Sequence, residues 1–421
     1  MTDRLVIVGA GQAAFALAAR LRALKDERPI VIVGDEPVPP YQRPPLSKKY
    51  LLGEMSFERL TYRPDAWYGE NGVELRLSTR AVGIERAGKR LILEQAGEGH
   101  DAVSGGKAPE GGSSLDYGTL VLATGATPRR LPAVIGGDLQ GVFEVRNKAD
   151  ADRLAVEMQP GRRLLVVGGG YIGLEAAAVA RKLGLDVVLI EAAERILRRV
   201  AAPETADAMR AIHEAHGVSI LESTGLVRLI GERGRVVAAE LSDGTRVDAD
   251  FVVVGIGVDA NDALAREAGL EAGGGIVVDA FGRTSDPHIY AAGDCAVFPF
   301  HGQATRLESV QNAVDQAEAI AAVLAGEPKP YVPQPWFWSD QYDVKLQIAG
   351  YNAGYSETLV RPGARAGSLS VWYFRAGALI AVDAINDAKA YVAGKKMMES
   401  GITPPKEALT DPAFDLKQLL G

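Results

Sequence analysis

Gly9-Ala10-Gly11-Gln12-Ala13-Ala14 follows the apolar run Leu5-Val6-Ile7-Val8 and opens a helical stretch from Phe15 to Leu24. Gly168-Gly169-Gly170-Tyr171-Ile172-Gly173 follows Leu164-Leu165-Val166-Val167 and opens a second, from Leu174 to Leu183. In both, a buried-strand pattern hands over through glycines to a helix. That arrangement lets a backbone approach a pyrophosphate while the helix N-terminus offers unpaired N–H groups and positive dipole charge. One such fingerprint is weak as a sign of a ligand. Two in one chain predict two bound dinucleotides, each held at the end of a parallel sheet.

Each pattern continues to a second strand that closes near a carboxylate. Pro29 to Val33 runs into Gly34-Asp35-Glu36, and Asp186 to Ile190 runs into Glu191. An acidic residue about 20 residues past the glycines binds ribose hydroxyls. Asp35 is expected to do so in the first unit, with Glu36 as its alternate, and Glu191 in the second. A carboxylate repels a 2′-phosphate, and Ala192 and Ala193 supply no compensating cation, so NADH is expected over NADPH. Arg195, Arg198 and Arg199 follow closely, which leaves NADP(H) disfavoured rather than excluded. Ala14 stands at the third position of the first fingerprint and is still small enough for close helix packing.

At 421 residues and 47% hydrophobic, the chain is long and apolar enough for two or three globular domains. A net charge of −8 argues against non-specific binding to nucleic acid or anionic membranes. The N-terminus enters a strand directly, without the charged and apolar regions of a signal peptide, and no run approaches about 18 apolar residues. A cytoplasmic protein is therefore expected. The single cysteine, Cys295, rules out an intrachain disulfide or a Cys-x-x-Cys relay and reads as a small buried filler.

Pro37 to Ser47 is rich in proline and reads as an extended segment lying across a ligand. Gly97 to Ser114 reads as a long hairpin loop, and Thr119 to Pro128 as a buried strand ending in a small-residue turn. Alternation between Gly217 and Val254 predicts a small antiparallel sheet with a turn at Ser242-Asp243-Gly244, before the chain returns through Phe251 to Gly257. A further strand ends at Gly293-Asp294, and a helix is expected from Ser309 to Leu324. Pro328, Pro330, Pro333 and Pro335 mark a linker to an aromatic-rich last domain, in which Ser368 to Phe374 and Leu379 to Ala384 form a hairpin. His213 and His216 share a helix face without further ligands nearby, and the face is expected to meet solvent rather than metal.

The sequence resembles the flavin-dependent, glutathione-reductase-type ferredoxin reductases of bacterial cytochrome P450 and ring-hydroxylating dioxygenase systems. The resemblance covers essentially the whole chain. It rests on Val8-Gly9-Ala10-Gly11, Arg43-Pro44-Pro45-Leu46-Ser47-Lys48, Leu122-Ala123-Thr124-Gly125, Gly168 to Glu175, Ala292-Gly293-Asp294-Cys295 and Trp336-Phe337-Trp338-Ser339-Asp340-Gln341-Tyr342. It implies an α/β fold with two Rossmann-like dinucleotide-binding domains plus an α+β C-terminal domain. The boundaries expected are 1–126 with 258–326 for FAD, 127–257 for NAD, and 327–421 for the C-terminal domain. Gln311 replaces a proline common in the family, and the Gly97 to Ser114 loop is longer than usual.

The resemblance also implies that Gly9, Gly11, Ala13, Ala14, Asp35, Lys48, Val82, Ala123, Thr124, Gly125, Arg129, Gly293, Asp294 and Val310 contact FAD. Asp294 would accept a ribityl hydroxyl, and Trp338 would lie at the exposed flavin edge. Gly168, Gly170, Tyr171, Ile172, Gly173, Glu191 and Gly257 would hold NADH. Lys48 would lie near flavin N5, paired with Glu175. The expected activity is electron transfer from NADH through FAD to a [2Fe–2S] ferredoxin, docked on a basic patch for which Lys345, Lys389, Lys395 and Lys396 are candidates. An NADH-dependent reductase of quinones or organic radicals is the alternative enzyme. An NADH-sensing flavoprotein of the apoptosis-inducing-factor type is the alternative from another class.

Overall fold

A computed structural model describes residues 3–96 and 113–420. The loop expected from Gly97 to Ser114 lies outside them except for its last two residues. The chain divides into two compact units. One is drawn from Met1–Gln42, Phe57–Thr127 and Val258–Pro333, the other from Arg43–Ser56, Pro128–Gly257 and Gln334–Gly421.

The first unit is organised by a five-stranded sheet in the order Ile289–Ala291, Thr119–Leu122, Leu5–Val8, Ile30–Val33, Val73–Arg76, with every pair parallel. Strands covered on both faces carry no polar alternation, and Leu5–Val8 and Ile30–Val33 are buried at every position. The Gln12–Ala23 helix presents Ala13, Ala14, Leu17, Ala18 and Leu21 to the same core as Ala313, Ala317, Ile320 and Ala321 of the Val310–Leu324 helix. Each buried leucine or isoleucine there contributes about 1.5–3 kcal/mol. Ser309 caps the second helix, its Oγ accepting from Asn312 N at 3.0 Å. Strand order reverses at Leu5–Val8, the place where open α/β sheets bind ligands.

In the second unit the order is Val218–Leu221, Asp186–Ile190, Arg163–Val167, Phe251–Val254, Val142–Phe143, again all parallel. The expected antiparallel sheet is present as Leu226–Glu232, Arg235–Leu241 and Arg246–Asp248, with Gly244 of the connecting turn at φ +84°. A third sheet of the same unit is antiparallel in the order Trp336–Gln341, Val344–Gly350, Ala378–Ile385, Leu369–Arg375, Glu357–Pro362. Its hairpin from Leu369 to Ile385 is the one expected from the aromatic run. The Ala388–Glu399 helix covers the sheet around Trp372, Val382 and Met397. Arg361 ties the tail to it by donating to the carbonyls of Ala408, Leu409, Asp411, Pro412 and Phe414.

Two expectations are corrected. The proline-rich segment is not extended throughout, because Pro44–Ser47 forms one turn of 3-10 helix with proline at its start, where the missing N–H costs nothing. His213 does not face solvent. It is fully buried on the Pro203–Ala215 helix, held by partners from the C-terminal sheet that no local pattern announces. No helix among the described residues is long and apolar enough to cross a membrane.

Candidate active site

In the first unit, Gly9 has φ +106°, and a Cβ there would stand 2.2 Å from the Ala123 carbonyl oxygen. Only glycine lets the first turn pass the end of the neighbouring strand. Two residues on, Gly11 is the N-cap of the Gln12–Ala23 helix, with no side-chain cap and no atom within 4 Å of where a Cβ would be. An open, uncapped helix N-terminus beside a tightly packed turn fits a pyrophosphate. Gly293, at φ +82°, packs between Ala13 and Ala313, its N–H donating to Gln316 Oε1 at 2.9 Å, and Asp294 follows it in a single 3-10 turn. Val310 opens the helix that Ser309 caps. Thr124 and Asn261 exchange hydrogen bonds of 2.7 and 2.8 Å beside Gly125, which has φ +68°. Val82 lies at the bulge in the Thr79–Glu85 strand.

The two carboxylate positions differ by one residue. Val8 pairs with Val33 as Val167 pairs with Ile190, so Gly34 occupies the place of Glu191. A Cβ at Gly34 would meet the Ala10 methyl at 2.5 Å, which moves the first acidic residue to position 35. Asp35 is exposed, with Arg80 3.9 Å away, whereas Glu36 accepts from the Tyr41 hydroxyl at 2.7 Å.

The second turn repeats the first. Gly168 has φ +107° and abuts the Gly255 carbonyl, and Gly173 packs on the Gly168 carbonyl. Gly170 is an N-cap without a side-chain cap and is open on its outer side. Glu191 accepts from Gly169 N at 2.7 Å through Oε2 and from Ala193 N at 2.8 Å through Oε1. A carboxylate has about four lone-pair directions, so room remains for two ribose hydroxyls. Gly257, at φ +101°, is flanked by the guanidinium groups of Arg129 and Arg199, and its carbonyl accepts from Arg129 N at 3.0 Å. Arg195 donates to the Ala201 carbonyl and Arg198 pairs with Glu194, so both are engaged away from Glu191. Ile172 is exposed.

Lys48 and Glu175 come together in this unit, 128 positions after Ser47 in the chain for the carboxylate. Lys48 Nζ is 2.7 Å from Glu175 Oε2, which also accepts from Ser47 Oγ at 2.8 Å. Ser339 Oγ donates to Oε1 at 2.6 Å. Glu175 lies one helical turn after Tyr171, on the same face of the Tyr171–Lys182 helix. Strand alternation sends Phe337, Ser339 and Gln341 toward that face, with Phe337 4.7 Å from the Tyr171 ring. Trp336 and Trp338 stack 5.4 Å apart and line a cavity of about 250 Å³ with Phe337, Lys345, Gln347 and Tyr391. Lys395 lies over the Trp336 ring, while Lys389 and Lys396 are exposed on the same helix.

Ser47 and Ser339 lie within segments that carry the family resemblance, which assigns neither a role. Sequence reading also missed Asp383, fully buried, whose Oδ2 accepts from Tyr373 and, at 2.7 Å, from Thr205. Burial pushes its carboxyl up to about 6, and its Oδ1 has no hydrogen-bond partner among the described residues. Cys295 is fully buried, as expected.

The model of the pyridine nucleotide-disulphide oxidoreductase family matches residues 3–317, and that of the reductase C-terminal domain matches residues 336–420. A ferredoxin–NAD(P)+ reductase from a Sphingomonas species is 41% identical over 100% of this chain and 99% of its own. The ferredoxin–NAD+ reductase component of the anthranilate 1,2-dioxygenase system of Burkholderia cepacia is 39% identical over 99% of both. Among solved structures, that of the covalent putidaredoxin reductase–putidaredoxin complex matches with a TM-score of 0.92 at 36% identity, covering 99% of this chain and 98% of that one.

Proposed function

This chain belongs to the pyridine nucleotide-disulphide oxidoreductase family, and we propose that it is an NADH:ferredoxin oxidoreductase. It takes electrons from NADH through FAD to a [2Fe–2S] ferredoxin that serves a cytochrome P450 or a ring-hydroxylating dioxygenase. The observation that carries this reading is a pair of open glycine turns in a chain whose one thiol, Cys295, is fully buried. With its single thiol fully buried, the chain presents no cysteine through which the flavin could pass electrons to a disulfide substrate. Relatives of matching length that are named ferredoxin reductases support the same acceptor.

The proposed division of labour is 1–126 with 258–326 for FAD, 127–257 for NADH, and 327–421 for the C-terminal domain. FAD, when bound, would supply the conversion between the electron pair of NADH and the single electrons that a one-electron ferredoxin requires. Gly9, Gly11, Ala13, Ala14 and Asp35 hold its adenosine diphosphate end, with Val82, Ala123, Thr124, Gly125 and Arg129. Gly293, Asp294 and Val310 hold its ribityl end. Gly168, Gly170, Tyr171, Ile172, Gly173, Glu191 and Gly257 hold NADH, and Glu191 selects it over NADPH. Lys48 supplies positive charge at the flavin and Glu175 restrains that lysine. Trp338 shields the flavin edge from water, and Lys345, Lys389, Lys395 and Lys396 attract an acidic ferredoxin. The proposed location is the cytoplasm.

The test is anaerobic. The yellow holoprotein is reduced with NADH, and cytochrome c reduction is then followed with and without an added [2Fe–2S] ferredoxin. Ferredoxin-dependent turnover is expected. Equal turnover with a quinone alone would replace this reading with a quinone reductase, and a long-lived reduced complex that passes electrons to neither would replace it with an NADH sensor.

A further inference from the structure

Glu175 terminates a hydrogen-bonded chain whose other members have no part in the function above. Ser339 Oγ is 2.6 Å from Glu175 Oε1, and Gln341 Nε2 is 3.0 Å from Ser339 Oγ. Gln341 Oε1 is 2.6 Å from His213 Nε2, and His213 Nδ1 is 3.1 Å from the Tyr342 hydroxyl. Valence permits one direction only. The ionised carboxylate can only accept, so Ser339 spends its single proton on Glu175 and must itself accept from the Gln341 amide. Reversing that amide would ask one serine proton to serve two acceptors. Gln341 therefore turns its carbonyl to His213, whose Nε2 must carry the proton. Burial lowers the His213 imidazole to about 4, so Nδ1 is a lone pair at neutral pH and Tyr342 donates to it. Every donor points toward Glu175, and aligned bonds of this kind polarise one another.

The outer end of the chain is held at a cost. Tyr342 and Asp343 form the two-residue loop between Trp336–Gln341 and Val344–Gly350, and Tyr342 has φ +57°. Such loops favour asparagine or glycine at this position, and a bulky residue there is strained. What the tyrosine adds is its hydrogen bond to His213 and a stack on His216 with ring centroids 3.7 Å apart. Turn chemistry does not select this residue, whereas its contacts do.

We propose that Gln341 and His213, acting through Ser339, are positioning residues that fix the Glu175 carboxylate, with Tyr342 closing the chain at its outer end. The proposal rests on the reading that Lys48 and Glu175 act at the flavin, and it specifies how Glu175 is kept in place there. When Lys48 turns away, the Ser47 and Ser339 hydroxyls still satisfy the carboxylate, and the residues behind Ser339 prevent it from following.

Two measurements on the holoenzyme test this. In protein labelled with 15N-histidine, NMR should find His213 neutral and protonated at Nε2, and Glu175→Gln should shift that N–H resonance although two residues intervene. Protonation at Nδ1, or a resonance that Glu175→Gln leaves unmoved, overturns the chain. In stopped-flow reduction by NADH, His213→Leu should slow flavin bleaching by about fivefold, the rate equivalent of one net hydrogen bond. His213→Gln, which retains an N–H for Gln341, should recover the rate to within about twofold. In a Glu175→Gln background, His213→Leu should add nothing. If Glu175→Gln slows bleaching and His213→Leu does not, the positioning role is overturned. If Glu175→Gln itself bleaches at the wild-type rate, the Lys48–Glu175 reading fails, and the NMR result still judges the chain independently. Should His213→Leu not fold, His213→Gln and the resonance shift decide.

Discussion

Glu175 Oε2 lies 2.7 Å from Lys48 Nζ with both side chains largely withdrawn from water, at 5% and 15% exposure. Removing one member of a buried pair costs about 3–5 kcal/mol when the other is stranded. Glu175 is not stranded here, because the Ser47 and Ser339 hydroxyls remain. Lys48→Met is therefore expected to lower stability by only about 1–2 kcal/mol in denaturant melts, while slowing flavin reduction by NADH at least about tenfold. A large stability loss with an unchanged reduction rate would make the pair structural.

The glycine turns separate folding from cofactor binding. Gly9→Ala forces a Cβ to 2.2 Å from a carbonyl at φ +106°, and is expected to cost about 2 kcal/mol or more. Gly11→Ala meets no protein atom within 4 Å, and the fold should lose about 1 kcal/mol or less. Its methyl occupies the space assigned to the pyrophosphate, so FAD content should fall. The ratio of flavin to protein absorbance, read beside the melting midpoint, distinguishes the two. Full FAD content in a stable Gly11→Ala protein would contradict the assigned site.

Glu191→Gln should reduce kcat/KM for NADH by about tenfold and narrow the preference over NADPH, because the repulsion of a 2′-phosphate is lost. The amide keeps an acceptor for only one of the two backbone N–H groups that now fix the carboxylate, Gly169 and Ala193. The check is the ratio of kcat/KM for the two coenzymes. An unchanged ratio would remove Glu191 from coenzyme selection.

Asp383 makes stability depend on pH. Burial raises its carboxyl to about 6, so the folded protein holds that proton more tightly than the unfolded chain, where aspartate titrates near 3.9. This contribution is fully present below about pH 4 and is lost as pH rises through about 6. Asp383→Asn cannot ionise. Relative to wild type, its stability should therefore improve by up to about 3 kcal/mol between about pH 4 and pH 7. Urea midpoints at the two pH values measure it, and a constant difference would contradict the assignment.

What was legible in the sequence was local. Glycine turns, strand ends and the Leu369 to Ile385 hairpin follow from residues adjacent in the chain. The Lys48–Glu175 pair became legible through resemblance alone. The support behind Glu175 was not legible, since alternation groups Ser339 with Gln341 without saying which face turns inward. His213 is 128 positions from Gln341, and polar residues three positions to either side, Arg210 and His216, make its helix face look solvated. The proline segment departs from the extended expectation because a residue before proline usually avoids helical geometry, yet Arg43 adopts it at φ −76° and ψ −33°.

The chain carries one cysteine, fully buried, and its thiol is pushed up by that burial. A maleimide meets no competing surface thiol on the folded protein. A cysteine introduced at any exposed position is then a unique handle, so a dye or spin label can report an approaching ferredoxin without first stripping the protein of native thiols.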